Sequence, residues 1–171
     1  MELVAVSAGP GSFTGLRVGV AFAKVLAYSV RAEVLGVDTL QAIAVAAPSE
    51  IPSLAVAIDA QRGDVVAGTF RRGPDTWLDP AGPSQLLPAA AWLAGLAPGT
   101  TIAGPVLKKL QDRLPPGVTA LEPNYWHPTA ANVARLAVHL RAAGRRDDLW
   151  GLLPHYSRRA AAEEQWDRLG K

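Results

Sequence analysis

Residues 9–19 read Gly-Pro-Gly-Ser-Phe-Thr-Gly-Leu-Arg-Val-Gly, soon after the apolar run Leu3-Val4-Ala5-Val6. Gly9 and Gly11 permit positive φ or a close backbone approach, and Pro10 holds φ between them. Ser12 or Thr14 can cap a following helix, whose free N–H groups would suit an anion or a carbonyl oxygen. The chemistry this invites is phosphate cradling. A Walker A loop fails, because five residues after Gly9 comes Thr14, five after Gly11 comes Leu16, and no lysine appears before Lys24. A dinucleotide fingerprint fits poorly, because its third glycine, Gly15, falls one position late; its acidic residue could be Glu33 or Asp38, but Glu33 stands at the start of its strand rather than at its end.

Other site chemistries find less support. The pattern Gly-x-Ser-x-Gly of a strained serine nucleophile does not occur, since Ser12 directly follows Gly11. His127, His139 and His155 lack the i, i+4 spacing that sets two imidazoles on one helix face for zinc, and His139 reads as a surface or packing residue. Asp59 ends an apolar run next to a turn, so it is a candidate acid or base, although a strand-end aspartate more often caps its turn. Trp77, Trp92, Trp126, Trp150 and Trp166 have no regular spacing that would make a base-stacking platform. No catalytic constellation assembles.

The elements that must position the glycine turn follow from periodicity. Residues 2–6 read as a strand and 13–30 as a helix apolar on more than one face, the kind sandwiched between a sheet and a further layer. A second strand at 33–37 completes a βαβ unit, and Thr39 is a plausible cap for a short helix ending near Ala47. After the Pro48–Pro52 loop, the run 54–59 suits a strand covered on both faces, and Gln61-Arg62-Gly63-Asp64 turns it into 65–70 as an antiparallel hairpin. Residues 73–84 read as loop. Helices are expected near 85–96, 105–113, 129–143 and 159–169, with strands at 101–103 and 118–122. Alternating strands and helices with one hairpin mean an α/β fold with mixed sheets.

The bulk composition narrows the class. In 171 residues, 49% apolar content with 19% charged residues is enough for a buried core. The absence of cysteine removes disulfides and thiolate metal sites and favours the cytoplasm. A formal charge of +2, with basic pairs scattered at 71–72, 108–109, 145–146 and 158–159, does not indicate strong autonomous nucleic-acid binding. Met1-Glu2 leads into a strand-like run with no basic stretch before it, so no signal peptide is expected. The longest apolar stretch, 18–30, carries Lys24 and is short for a bilayer span.

The segment Gly9–Gly19 closely resembles the TsaB family, also called the YeaZ type. Similar stretches follow in the same order at Gly36-Val37-Asp38-Thr39-Leu40, at Ala57–Val65, and at Pro154, Tyr156 and Arg158. That family supplies the accessory subunit of the bacterial machinery that makes threonylcarbamoyladenosine on tRNA beside the anticodon. The resemblance implies the actin-like, Hsp70-like ATPase fold (ASKHA) of two small sublobes with mixed sheets. Residues 1–47, with a C-terminal helix over 158–171, would form one sublobe, and 48–157 the other. The catalytic relative in that machinery, TsaD, carries a His-x-x-x-His metal motif after the strand ending in Val37. Laid on this chain, its histidines fall at Thr39 and Ile43, neither of which offers an imidazole.

The resemblance therefore implies a scaffold with no metal, cofactor or catalytic residue of its own. Its partners would be a TsaD-like catalytic subunit, a TsaE-like ATPase and, when alone, a second copy. It would meet tRNA only through the complex and would not bind a membrane. The implied docking residues are Gly9, Pro10, Gly11, Ser12, Phe13, Thr14, Gly15, Arg17 and Val20. Family members usually begin with a strand bearing an Ile-Asp-Thr-like phosphate turn, two more strands and a helix. This sequence starts after them, so an incomplete N-terminal sublobe without ATPase activity is expected; by the resemblance, the absent helix packs beside the helix at 13–30 and helps make the surface that docks the catalytic subunit or a second copy. The competing reading is a nucleotide-binding α/β module or enzyme that uses Gly9–Gly15 as a phosphate cradle.

Overall fold

A computed structural model of the chain describes residues 1–157. The expected helix over 158–171 and Arg158 lie outside the described residues. Strand β1 (Leu3–Gly9) pairs in parallel with β2 (Glu33–Asp38), in register from Leu3↔Glu33 to Ser7↔Val37, then shifted to Gly9↔Asp38. Among the described residues no other strand pairs with β1, so one of its edges carries no strand. Between them runs α1 (Phe13–Val30), capped by Ser12. It stops at Arg31, held at φ 53 in the left-handed region, while the Ala32 amide donates to the Ala27 carbonyl at 2.9 Å.

Period-2 alternation sends successive β2 side chains to opposite faces. Val34 joins Val4, Val20, Ala23 and Ala27 under α1. Leu35 and Val37 turn the other way, onto Ala42, Leu136 and Ala137. Those partners come from α2 (Thr39–Ala44) and from α5 (Ala130–Ala142), which packs on both β1 and β2. The two-strand sheet is thus covered on both faces, by α1 on one and by α5 with α2 on the other. Residues 130–157 pack largely on this first sheet, whereas the sequence grouping places them with the second unit. The helix α5 opens at Thr129, whose hydroxyl accepts from the Asn132 amide at 3.2 Å, and the chain leaves it at Gly144, φ 92.

The second sheet grows from the expected hairpin, β3 (Ser53–Asp59) against β4 (Asp64–Arg72). Two short strands, β5 (Leu78–Pro80) and β6 (Gln85–Pro88), pair antiparallel with β4. On the other side β7 (Thr101–Ala103) runs parallel to β3 and β8 (Thr119–Ala120) parallel to β7. The helix expected from residue 85 begins only at Ala89, as α3 (Ala89–Ala94). Pro88 is the reason, because it pushes Leu87 out of helical geometry, and residues 85–88 take the free edge of β4 instead. The expected helix over 105–113 is a single α turn, α4 (Leu107–Leu110), continued as 3₁₀ over Gln111–Arg113. The main core fills the space between this sheet and α2, α3 and α4, around Leu40, Ile43, Leu54, Val56, Val65, Phe70, Ile102 and Leu107. Gly104, at φ 127, lies so close to β3 that a Cβ would strike the Ala57 carbonyl oxygen.

By length and composition α1 is apolar enough to cross a bilayer. Its Leu16, Val20, Ala23 and Ala27 are nevertheless buried, three of them in the core shared with Val4 and Val34, which makes it a covering helix of an α/β unit.

Candidate docking face

The glycine turn links β1 to α1 through a cis Gly9–Pro10 bond. Ser12 is the N-cap residue, its hydroxyl accepting from the Gly15 amide at 3.4 Å and its carbonyl from the Leu16 amide at 2.8 Å. Gly9 sits at φ 124, and a Cβ there would lie 2.3 Å from the His155 carbonyl oxygen. The space that makes position 9 a glycine is filled by the protein's own backbone, which leaves no room for a phosphate on that side. Gly11 is exposed, and a Cβ on it would meet only Leu16, at 3.7 Å.

This contrast gives a stability test. Gly9→Ala combines an unfavourable φ with displacement of His155, so a loss of about 2–3 kcal/mol is expected in urea unfolding. Gly11→Ala should stay within about 0.5 kcal/mol of the parent, as ordinary surface changes do.

The segment against Gly9 is a strap, residues 147–156, laid along α1 from its C-terminal end to its start. Its first anchor is Asp147, whose carboxylate accepts from the Gly36 amide at 2.8 Å, while Arg145 donates to the Gly36 carbonyl at 2.7 Å. A Cβ on Gly36 would meet the Leu152 methyl at 2.7 Å, so this glycine also serves the strap. The Lys24 ammonium then donates to the carbonyls of Trp150 and Leu152, at 2.8 and 3.3 Å. Leu152 enters the core beneath α1, and the His155 amide donates to the Ala8 carbonyl at 2.6 Å. At the far end Arg17 Nε donates to the Tyr156 hydroxyl at 3.0 Å. The Arg17 guanidinium lies 4.1 Å from the Phe13 ring centre, and the Phe13 and Tyr156 rings are 4.7 Å apart.

The expected docking residues divide. Gly9, Pro10 and Val20 are buried, Phe13 is partly covered, and Gly11, Ser12, Thr14, Gly15 and Arg17 are exposed. Val20 corrects the sequence expectation most sharply. At 3% exposure it packs with Val4 and Val34, so it faces the sheet and cannot meet a partner. The outward row of α1 is instead Val18, Phe22, Val25 and Tyr28, each 64–67% exposed. Residues 18 and 20 stand about 200° apart at 100° per residue, so burying one exposes the other.

Three other sequence candidates resolve simply. Asp59 caps its turn, accepting from the Gln61 amide at 2.8 Å, and pairs with Lys109; that hydrogen bond to Lys109 holds its carboxyl below the ordinary range. His139 stacks on Trp77 with ring centres 4.0 Å apart, a packing role. Thr39 is buried with its hydroxyl bonded to that of Ser7, and Ile43 is fully buried in the main core.

The residue that caps α2 is Asp38, one position before the expected Thr39. Its Oδ1 accepts from the Gln41 amide at 2.8 Å. Burial pushes the Asp38 carboxyl above its ordinary value, against the pull of the Gln41 and Leu40 amides and of His155 and Arg145. With the folded value raised, the stabilising effect of protonation is fully present below the unfolded pKa and is lost as pH rises through the folded one. Asp38→Asn keeps a capping oxygen without a charge to desolvate. Its stability relative to the parent should therefore be greatest at neutral pH and should fall as pH drops through the carboxylate range. Urea midpoints across pH 4–8 measure this, and an advantage that grows on acidification would contradict it.

Residues 1–111 match the family model described as TsaD: tRNA N6-adenosine threonylcarbamoyltransferase. The chain is 31% identical to the tRNA threonylcarbamoyladenosine biosynthesis protein TsaB of Bacillus subtilis, over 97% of this chain and 73% of that protein. It is 56% identical to the tRNA N6-adenosine threonylcarbamoyltransferase of Desulfovibrio desulfuricans, but over only 52 residues, 30% of this chain and 14% of that one. The solved structure of YeaZ from Pseudomonas aeruginosa superposes with a TM-score of 0.76 at 27% identity, covering 91% of this chain and 74% of that one. The architecture is accordingly the actin-like α/β fold of the YeaZ structures.

Proposed function

The chain belongs to the TsaB (YeaZ-type) family of tRNA threonylcarbamoyladenosine biosynthesis proteins, and on that premise we propose that it is the pathway's non-catalytic scaffold, binding a TsaD-like transferase through α1. The observation that carries this reading is the outward row of Val18, Phe22, Val25 and Tyr28. An 18-residue helix with one apolar row in the core and a second row in water is built to be covered twice. The match of residues 1–111 to the TsaD model supports a partner with a strand–turn–helix of the same kind. Two such helices can pack ridge into groove, and a second copy of this chain can compete for the same face.

The non-catalytic role is supported by Thr39 and Ile43. They stand where the resemblance puts the transferase's histidines, and both are turned into the protein interior. Transfer of the threonylcarbamoyl group would then occur on the partner, with this chain holding it in a competent arrangement in the cytoplasm. Calorimetric titration of this chain with the TsaD-like transferase of the same organism tests the proposal. Saturable binding that stimulates threonylcarbamoyl transfer is expected, and no binding at micromolar concentrations would overturn it.

A further inference from the structure

The chain passes between the two sheets at residues 45–52 and again near 121–129, and α2 lies between their cores. A fold of two sheets joined by short connections is a kind that opens and closes by hinging, because only a few loop residues must change φ and ψ. We propose that this chain does not hinge. Residues 73–77, the turn between β4 and β5, form a clasp that locks the two sheets in one arrangement, with Trp77 as its bolt and Arg72 as the residue that positions it. The proposal goes beyond the docking reading and does not depend on it, since no partner enters it.

Trp77 and Leu78 are neighbours in the chain but belong to different cores. Trp77 packs against the cluster of Leu35, Val37 and Leu136 on the first sheet. Leu78, 1% exposed, lies in the main core with Leu40, Leu54 and Phe70. Their Cα atoms are fixed about 3.8 Å apart, so the sheets cannot part here without drawing one of these side chains out of its core. Rotation about that point is opposed as well. The indole lies flat on the His139 ring of α5, at an interplanar angle of 16° with ring centres 4.0 Å apart. The Arg135 guanidinium is 5.9 Å from the indole centre, and Asp75 Oδ2 is 3.8 Å from His139 Nε2. A flat stack fixes orientation as well as distance. Arg72, at the end of β4, closes the hinge from the other side. Its guanidinium donates to the carbonyls of Pro48 and Ile51 in the linker and of Thr76 in the clasp. One rigid fork thus ties linker, strand end and clasp together, and the linker residues that would have to move are those it holds. Gln41, 6% exposed, adds a bond from α2 to the Leu78 carbonyl at 3.4 Å. A chain locked in this way presents one fixed surface and lacks the closure by which hinged folds enclose a ligand.

The sequence has no cysteine, so two labelling sites can be introduced without removing any. Full chain carrying Ala134→Cys on α5 and Lys108→Cys on α4, both exposed positions, is spin-labelled and measured by double electron–electron resonance. One narrow distance peak is expected, with any second population below about 10%. Trp77→Ala should raise that second population severalfold, and so should Arg72→Met, which leaves the stacked rings in place. A pair within the second sheet's unit, Lys108→Cys with Gln85→Cys, should keep its narrow peak in the same variants. Circular dichroism reads folding, and His139→Ala removes the stack from the α5 side if Trp77→Ala does not fold. Two populations in the parent, variants with a peak as narrow as the parent's, or equal broadening of the pair within one unit would each overturn the clasp.

Discussion

Phe22→Glu should abolish binding to the TsaD-like transferase while leaving the isolated chain as stable as the parent. Phe22 is 67% exposed and sits in the middle of the outward row, between Val18 and Val25. A glutamate there is solvated in the free chain and is a good helix former, so stability should move by less than about 0.5 kcal/mol. In a covered interface the same carboxylate would be desolvated without a partner. Loss of the aromatic anchor plus an unpaired buried charge commonly costs 3 kcal/mol or more, about a hundredfold or greater in Kd. Calorimetry reads the affinity and circular dichroism the melting temperature. A variant that folds and binds like the parent would mean that α1 docks nothing through this row.

Val20→Glu, two residues away, should instead unfold the chain. Val20 is buried with Val4, Ala23, Ala27 and Val34, all apolar. The substitution removes about 1.5 kcal/mol of apolar burial and adds several kcal/mol for desolvating a carboxylate among apolar side chains. Against a total stability of about 5–15 kcal/mol for a domain, that is enough to depopulate the folded state. Expected results are little soluble protein and loss of the cooperative melting transition. A well-folded Val20→Glu that merely fails to bind would put Val20 back on the docking face and invert the orientation of α1. The pair of variants therefore separates a defect of assembly from a defect of folding on one helix.

Much of the frame was legible from periodicity. The boundaries of α1 and β7, the β3–β4 hairpin and the helix near 129–143 agree with the sequence expectation, because local patterns decide them. The segment 85–88 was misread because its residues suit a helix, and only the open edge of β4 recruits them into a strand. The shift of the α2 cap from Thr39 to Asp38 is a smaller error of the same type, since both residue types can cap. The turn at 9–15 was found by its glycines, but its purpose was not. Gly9 is required by the His155 backbone, a contact between residues 146 positions apart that no local pattern announces.

The two apolar rows of α1 mark the division most clearly. Residues 16, 20, 23 and 27 and residues 18, 22 and 25 both recur at helical spacing, so periodicity alone reveals a helix that must be covered on two sides. The sequence by itself determined the α/β class, the family motif, the extent of α1 and the absence of imidazoles at positions 39 and 43. Which row lies against β1 and β2, and which remains in water beside Trp150 and Leu153, was decided only by tertiary packing. The reason is physical. Apolar burial is non-directional and stabilises either row about equally. The choice falls to the rotation of the helix at which Val20, Ala23 and Ala27 fit over Val4 and Val34 and Lys24 reaches the strap carbonyls.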